Sequence, residues 1–186
     1  MKEHIKSLNI LADNELNQID AFLTNRTIKK GDFLVREGEI CKEIAFIKQG
    51  VLRSYFIDEK GEEITNCITF ENQLMSAYSS YITQKPTQEN IQAIVDTEIQ
   101  FIPKKDMETL FDSSTKWQKV GRVLAEEQYI NLENRILSFQ KDSAVIRYQH
   151  LFKNNPQYIK QIPLHYISSY LGISTRHLTR IRKAIL

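Results

Sequence analysis

The sequence predicts an α+β chain: an N-terminal antiparallel β-roll (a double-stranded β-helix or jelly roll) with flanking helices, then one long helix, then a C-terminal helix-turn-helix. Three observations predict it. Four of the six glycines, Gly31, Gly38, Gly50 and Gly61, sit in polar turns between short β-prone runs. Residues 113–140 carry apolar side chains at three- and four-residue steps. The closing stretch, PLHYISSYLGISTRHLTRIRKAIL, has the spacing of two short helices meeting at a tight turn.

Residues 3–25 open with a helical pattern in which Leu8, Leu11, Leu16, Ile19, Phe22 and Leu23 form an apolar stripe, with Asp13 as an N-cap for the second half. The runs 32–36, 43–48, 51–57 and 63–70 follow as strands, separated by turns every 7–12 residues. That rhythm is the signature of an antiparallel sandwich or barrel. After an interruption, 91–95 and 98–102 supply two more strands. In the long helix, Trp117, Val120, Leu124, Leu132, Ile136 and Phe139 form one stripe, and Val123, Ile130 and Leu137 a second. Two stripes exceed what a single packing surface requires. One is expected to cover the roll and the other to pair with a second copy of the chain. A further helix is predicted at AVIRYQHLF, ended by Asn154, Asn155 and Pro156.

In the last stretch Pro163 suits a helix start. Ile167 and Leu171 lie four apart on one face, and Gly172 stands where a helix most readily takes a left-handed end residue. Ser174 is placed to N-cap a second helix whose Leu178 and Ile181 face back onto the first. Arg176, Thr179, Arg180, Arg182 and Lys183 remain for its other faces.

Charge follows the same division. Residues 143–186 hold seven Lys or Arg and no Asp or Glu, whereas the preceding 142 residues hold 18 against 23. A segregated basic end is the electrostatic footprint of a polyanion partner. No apolar run approaches the roughly 18 residues of a membrane span, and the N-terminus lacks the apolar core of a signal peptide. A cytoplasmic protein is expected. Cys41 and Cys67 are too few for a disulfide framework or an all-cysteine metal site, and are read as reduced side chains.

The stretch KKGDFLVREGEICKEIAFIKQGVLRSYFIDEKGEE resembles the β-roll of the cyclic-nucleotide-binding superfamily, through Gly31, Gly38 and Gly50 and through Glu37 ahead of the second glycine. With the terminal helix-turn-helix, nearly the whole chain resembles the Crp/Fnr family of transcription regulators. The resemblance implies a sensor roll over 1–112, a dimerisation helix over 113–140 and a DNA-binding unit over 141–186. It implies double-stranded DNA, a second copy of the chain and RNA polymerase as partners, with no membrane. It also implies that Thr175, Arg176 and Arg180 face base edges, while Ser174, Thr179, Arg182 and Lys183 contact phosphates. An Arg at position 180 suits bidentate contact with guanine N7 and O6.

In that family a short helix and an Arg-Ser or Arg-Thr pair hold the ligand phosphate, after a Phe-Gly-Glu stretch whose Glu takes a ribose hydroxyl. Here Asn72 and Gln73 stand where Gly-Glu would be, and Glu89 and Asn90 where the Arg pair would be. A carboxylate about 4 Å from a phosphate repels it by around 1 kcal/mol even in bulk water. The roll is therefore not expected to bind cyclic AMP in the usual way, and its effector is left unassigned. Tyr78, Ser79, Ser80 and Tyr81 are candidates for lining a neutral pocket, or for simple packing.

No cofactor, metal site or catalytic residue is predicted. An iron–sulfur sensor needs about four thiolates. The four histidines, His4, His150, His165 and His177, all lie outside the roll. A haem sensor and a cupin-like enzyme would both need histidine within it. Two alternatives to the regulator reading stand beside it: a ligand-binding roll whose helix-turn-helix contacts a protein partner, and the disfavoured cupin-like enzyme.

Overall fold

The computed structural model describes residues 1–185, apart from the side chains at 152, 154, 157, 158 and 185. Helices α1 (Lys2–Ser7) and α2 (Asp13–Leu16) lead through a 3-10 turn at Asn17–Ala21 into the roll. The strands are β1 (Thr24–Ile28), β2 (Phe33–Val35), β3 (Glu43–Gln49), β4 (Leu52–Ile57), β5 (Glu63–Thr69) and β6 (Leu74–Met75). Helix α3 (Tyr78–Thr83) precedes β7 (Asn90–Ala93) and β8 (Thr97–Pro103). The remainder is helical: α4 (Lys104–Ser113), α5 (Thr115–Lys141), α6 (Ala144–Asn154), α7 (Pro156–Ile159), α8 (Leu164–Leu171) and α9 (Thr175–Ile185).

The strands form two four-stranded antiparallel sheets, ordered β1-β8-β3-β6 and β2-β7-β4-β5. Side chains alternate across a strand, and this sorts β3 between two cores. Ala45 and Ile47 point between the sheets, with Leu52, Ile91 and Ile99, while Phe46 points outward. Outside the first sheet, Phe46 and Ile102 meet Ile5, Leu16 and Ile19 from the N-terminal turns, Met107 and Leu110 of α4, and Trp117 and Val120 of α5. Gly50 joins β3 to β4 at φ 108°, and an added Cβ would lie 2.5 Å from the Thr97 hydroxyl, so only glycine fits the turn.

The N-terminal reading needs correction. The helical pattern does not run through 3–25: Asn9 turns left-handed at φ 54°, and Thr24 and Asn25 enter β1, in register with Phe101 and Gln100 of β8. The N-cap is Ala12 and not Asp13. The Glu15 carboxylate accepts the Ala12 N–H at 2.8 Å, and Asp13 pairs instead with Lys6 at 3.1 Å. The apolar stripe is genuine, but separate short turns present it to the sheet.

A third core joins the roll to the C-terminal helices. Val51, Ile68, Phe70 and Ile94 pack with Tyr148, Leu151, Ile159, Ile162, Ile167, Leu171, Leu178 and Ile181. Among the described residues no helix is long and apolar enough to cross a membrane.

Candidate nucleic-acid interface and sensor cavities

Helix α8 begins after Pro163, whose carbonyl accepts the Tyr166 N–H at 3.0 Å. It ends at Gly172, left-handed at φ 67°, where an added Cβ would approach the Phe139 ring to 2.9 Å. The Ser174 hydroxyl oxygen accepts the His177 N–H at 3.2 Å, the N-cap bond that starts α9. Leu178 and Ile181 are buried against α8. Local chemistry therefore fixes all three joints of this helix-turn-helix.

The opposite side of α9 is open. Ser174, Thr175, Arg176, Thr179, Arg180 and Lys183 are exposed, and Arg182 is half-buried. Steps of four and three residues align Arg176, Arg180 and Lys183 along one stripe, beside Thr175, Thr179 and Arg182. The structure thus brings six of the seven candidate residues to one exposed surface, with Arg182 half-buried at its edge. The Thr179 hydroxyl donates to the Thr175 carbonyl at 2.9 Å, so it braces the helix. At the helix C-terminus Arg182 and Lys183 also complement the helix dipole.

Sequence reasoning missed how this unit is attached. The Ser169 hydroxyl accepts the Thr65 N–H at 2.8 Å and donates to the Glu63 carbonyl at 3.2 Å, so α8 closes the free edge of β5. On β4, Arg53 is fully buried between the rings of Tyr55, at 4.0 Å, and Tyr166 of α8, at 3.6 Å, and pairs with Glu63. At the far end of α8, Arg135 donates to the Tyr170 carbonyl at 3.1 Å and Arg147 to the Leu171 carbonyl at 2.9 Å. The one available sequence signal was polar: Tyr166, Ser169 and Tyr170 occupy faces of α8 that Ile167 and Leu171 leave free.

The four candidate ligand residues separate into two places. Asn72, left-handed at φ 65°, donates its N–H to the Ile47 carbonyl at 2.8 Å, and the Gln73 side-chain oxygen accepts the Phe70 N–H at 2.8 Å. Both hold the turn between β5 and β6. Glu89 and Asn90 lie at the start of β7. The Asn90 side-chain oxygen accepts the Glu37 N–H at 3.1 Å, and the Glu89 carboxylate accepts the Ser54 hydroxyl. Glu89 lines a cavity of about 660 Å³ with Glu37, Asn66, Ser79, Ser80 and Thr87. Two carboxylates and, among the described residues, no Lys or Arg line it. Of the two readings of Tyr78 to Tyr81, a shared neutral pocket or simple packing, the shared pocket does not hold. The serines face the Glu89 cavity, whereas the two tyrosines stack with ring centroids 6.1 Å apart over a separate apolar cavity of about 300 Å³ beside α5. A six-residue helix turns alternate side chains to different sides, and this separates them.

Cys41 and Cys67 are both free thiols, and burial pushes the Cys67 thiol above its ordinary range. No cluster of three or more His, Cys, Asp or Glu suited to a metal occurs among the described residues.

Residues 25–114 match the family model described as the cyclic nucleotide-binding domain. No curated protein matches the sequence. Among solved structures, FixK2 from Bradyrhizobium japonicum superimposes with a TM-score of 0.72 at 15% identity, covering 88% of this chain and 84% of that one. A transcriptional regulator assigned to the crp/fnr family from Eubacterium rectale gives 0.71 at 20% identity, covering 98% and 87%. The c-di-GMP responsive global regulator CLP of Xanthomonas campestris gives 0.68 at 10% identity, covering 94% and 91%. Residues 25–114 therefore resemble the cyclic nucleotide-binding domain, within a chain that shares its fold with these solved Crp/Fnr-type regulators.

Proposed function

We propose that the protein is a homodimeric, DNA-binding transcription regulator of the Crp/Fnr type, with a roll that does not take cyclic AMP in the usual way. The exposed face of α9 carries this reading. It presents three aligned cations and hydroxyl side chains on the second helix of a helix-turn-helix, and that helix is anchored by Leu178 and Ile181 on its other face. Arg180 reads a base edge, with Thr175 and Arg176 beside it. Ser174, Arg182 and Lys183 set register on phosphates, with Thr179 joining them when its hydroxyl turns from the Thr175 carbonyl.

The dimer is supported by α5. Trp117 and Val120 are buried on the roll, but Tyr129, Leu132, Ile136 and Phe139 are exposed, at 65%, 58%, 50% and 41%. Their three-four-three spacing is that of a coiled-coil seam. The sequence spacing sets Leu132, Ile136 and Phe139 in one stripe with Trp117 and Val120; at 100° per residue they lie roughly 100° round the helix from that buried pair, so the first stripe itself divides between roll and solvent. Light scattering after gel filtration is expected to give twice the chain mass, and a clean monomer would remove the dimer.

For the sensor, Glu37 and Glu89 in the Ser54-side cavity disfavour a phosphate. Calorimetric titration with cyclic AMP or cyclic GMP should show no micromolar binding. Fluorescence anisotropy with duplex DNA tests the whole reading. Binding should weaken steeply with salt through counterion release. Absence of salt-sensitive binding would favour a helix-turn-helix that contacts protein.

A further inference from the structure

The roll, the end of α5 and the C-terminal helices meet around a cavity of about 230 Å³ that belongs to neither the sensor interior nor the DNA-facing surface. Its polar lining is cationic. Arg135 and Ser138 reach it from α5, Arg147 and His150 from α6, Gln73 from the roll and Tyr170 from α8.

Both guanidiniums are held in place, and neither is neutralised by a described residue. Arg135 stacks on Tyr170 at 3.9 Å and donates to the Tyr170 carbonyl. Arg147 lies 4.8 Å from the Phe139 ring centroid and donates to the carbonyls of Asp142, at 2.6 Å, and Leu171. Asp142 gives its carboxylate to the Ser138 hydroxyl at 2.7 Å. Among the described residues no carboxylate stands within ion-pair distance of Arg135 or Arg147. The Nε of Arg147 is buried and has no hydrogen-bond partner among them.

Both arginines are half-buried, and the Arg147 Nε is a buried donor of the kind that is ordinarily bonded. The carbonyl end of α8 offers these two cations only about half a negative charge. The remaining positive charge, the free Arg147 N–H, the His150 ring and the Gln73 amide NH₂ all call for an acceptor-rich anion. A dianion balances two guanidiniums, and phosphate oxygens suit their forked donors. The volume lies below the roughly 300–1,000 Å³ of drug-sized pockets, which limits the occupant to a phosphate and a few further heavy atoms.

We infer that this cavity is a binding site for a small phosphomonoester. The inference rests on the placement of these side chains and is independent of DNA binding. Calorimetric titration of the full chain with glycerol 3-phosphate tests it, with glycerol as the neutral control. One equivalent per chain should bind, and glycerol should not. Arg135→Gln and His150→Gln should each weaken binding roughly tenfold, the effect of losing one charge-assisted hydrogen bond. Circular dichroism melts would establish that both variants remain folded. Arg147 is left intact, because it ties both the Asp142 and Leu171 carbonyls, whereas Arg135 makes a single bond to α8 that the melts control for. No heat with glycerol 3-phosphate at millimolar concentration would overturn the site, as would full affinity in both folded variants. Tight binding of inorganic phosphate with glycerol 3-phosphate excluded would overturn the monoester.

Discussion

Helices α8 and α9 are neighbours of eight and eleven residues, yet they use their surfaces in opposite ways. Apart from His165, α8 carries no ionisable group but tyrosine, and its sides are closed: Ile167 and Leu171 in the shared core, Ser169 on the β5 edge, Tyr166 on Arg53. Helix α9 buries one side and leaves a basic stripe in solvent. In the proposed reading, attachment and recognition are therefore carried by different helices. Damage to the first should appear as lower stability, and damage to the second as weaker binding.

The strongest test of that division is Ile167→Ala. The side chain is fully buried, and truncating such a residue removes about 2–5 kcal/mol of stability, measurable by urea unfolding. Arg180→Ala should do the reverse. Unfolding should stay within about 0.5 kcal/mol of the parent, as for ordinary surface changes. DNA affinity should fall by about 1–3 kcal/mol, with discrimination blurred at one base position in a selection from random DNA. A large loss of stability in that variant would break the comparison. Ser169→Ala falls between them, because it strands the Thr65 N–H at the β5 edge. A stability loss of about 1 kcal/mol is expected, with DNA affinity of the folded protein retained. Lys183→Ala should have the smallest effect. Affinity should drop slightly and alike for all sequences, and the salt slope should become shallower by about one phosphate contact.

The same contrast explains what could be read from the sequence. The joints of the helix-turn-helix were legible because Pro163, Gly172 and Ser174 act within a few residues of themselves. The strands bounded by glycine turns were legible for the same reason. β1 was not, since four of the five residues of TNRTI are exposed and polar or charged, and only pairing with β8 makes them a strand. Nor was α4, whose Lys-Lys-Asp opening lacks a capping side chain: Pro103 precedes it with no cap bond. The docking of α8 on β5 joins residues more than 100 positions apart, and no local pattern records it. For the sensor, sequence identified the acidic Glu89 but grouped it with Asn72 and Gln73, which the fold places at another turn.

Arg53 gives the seam between the roll and the C-terminal helices a property that an all-apolar seam would lack. Its Nε and Nη1 have no hydrogen-bond partner among the described residues while Tyr166 covers them. Bulk water would supply those partners at once. Any displacement of α8 that wets this side chain therefore recovers hydration free energy, which offsets part of the cost of exposing the apolar surface around it. The roll and the C-terminal helices share a continuous apolar core, but the work of parting them is smaller than that core alone implies.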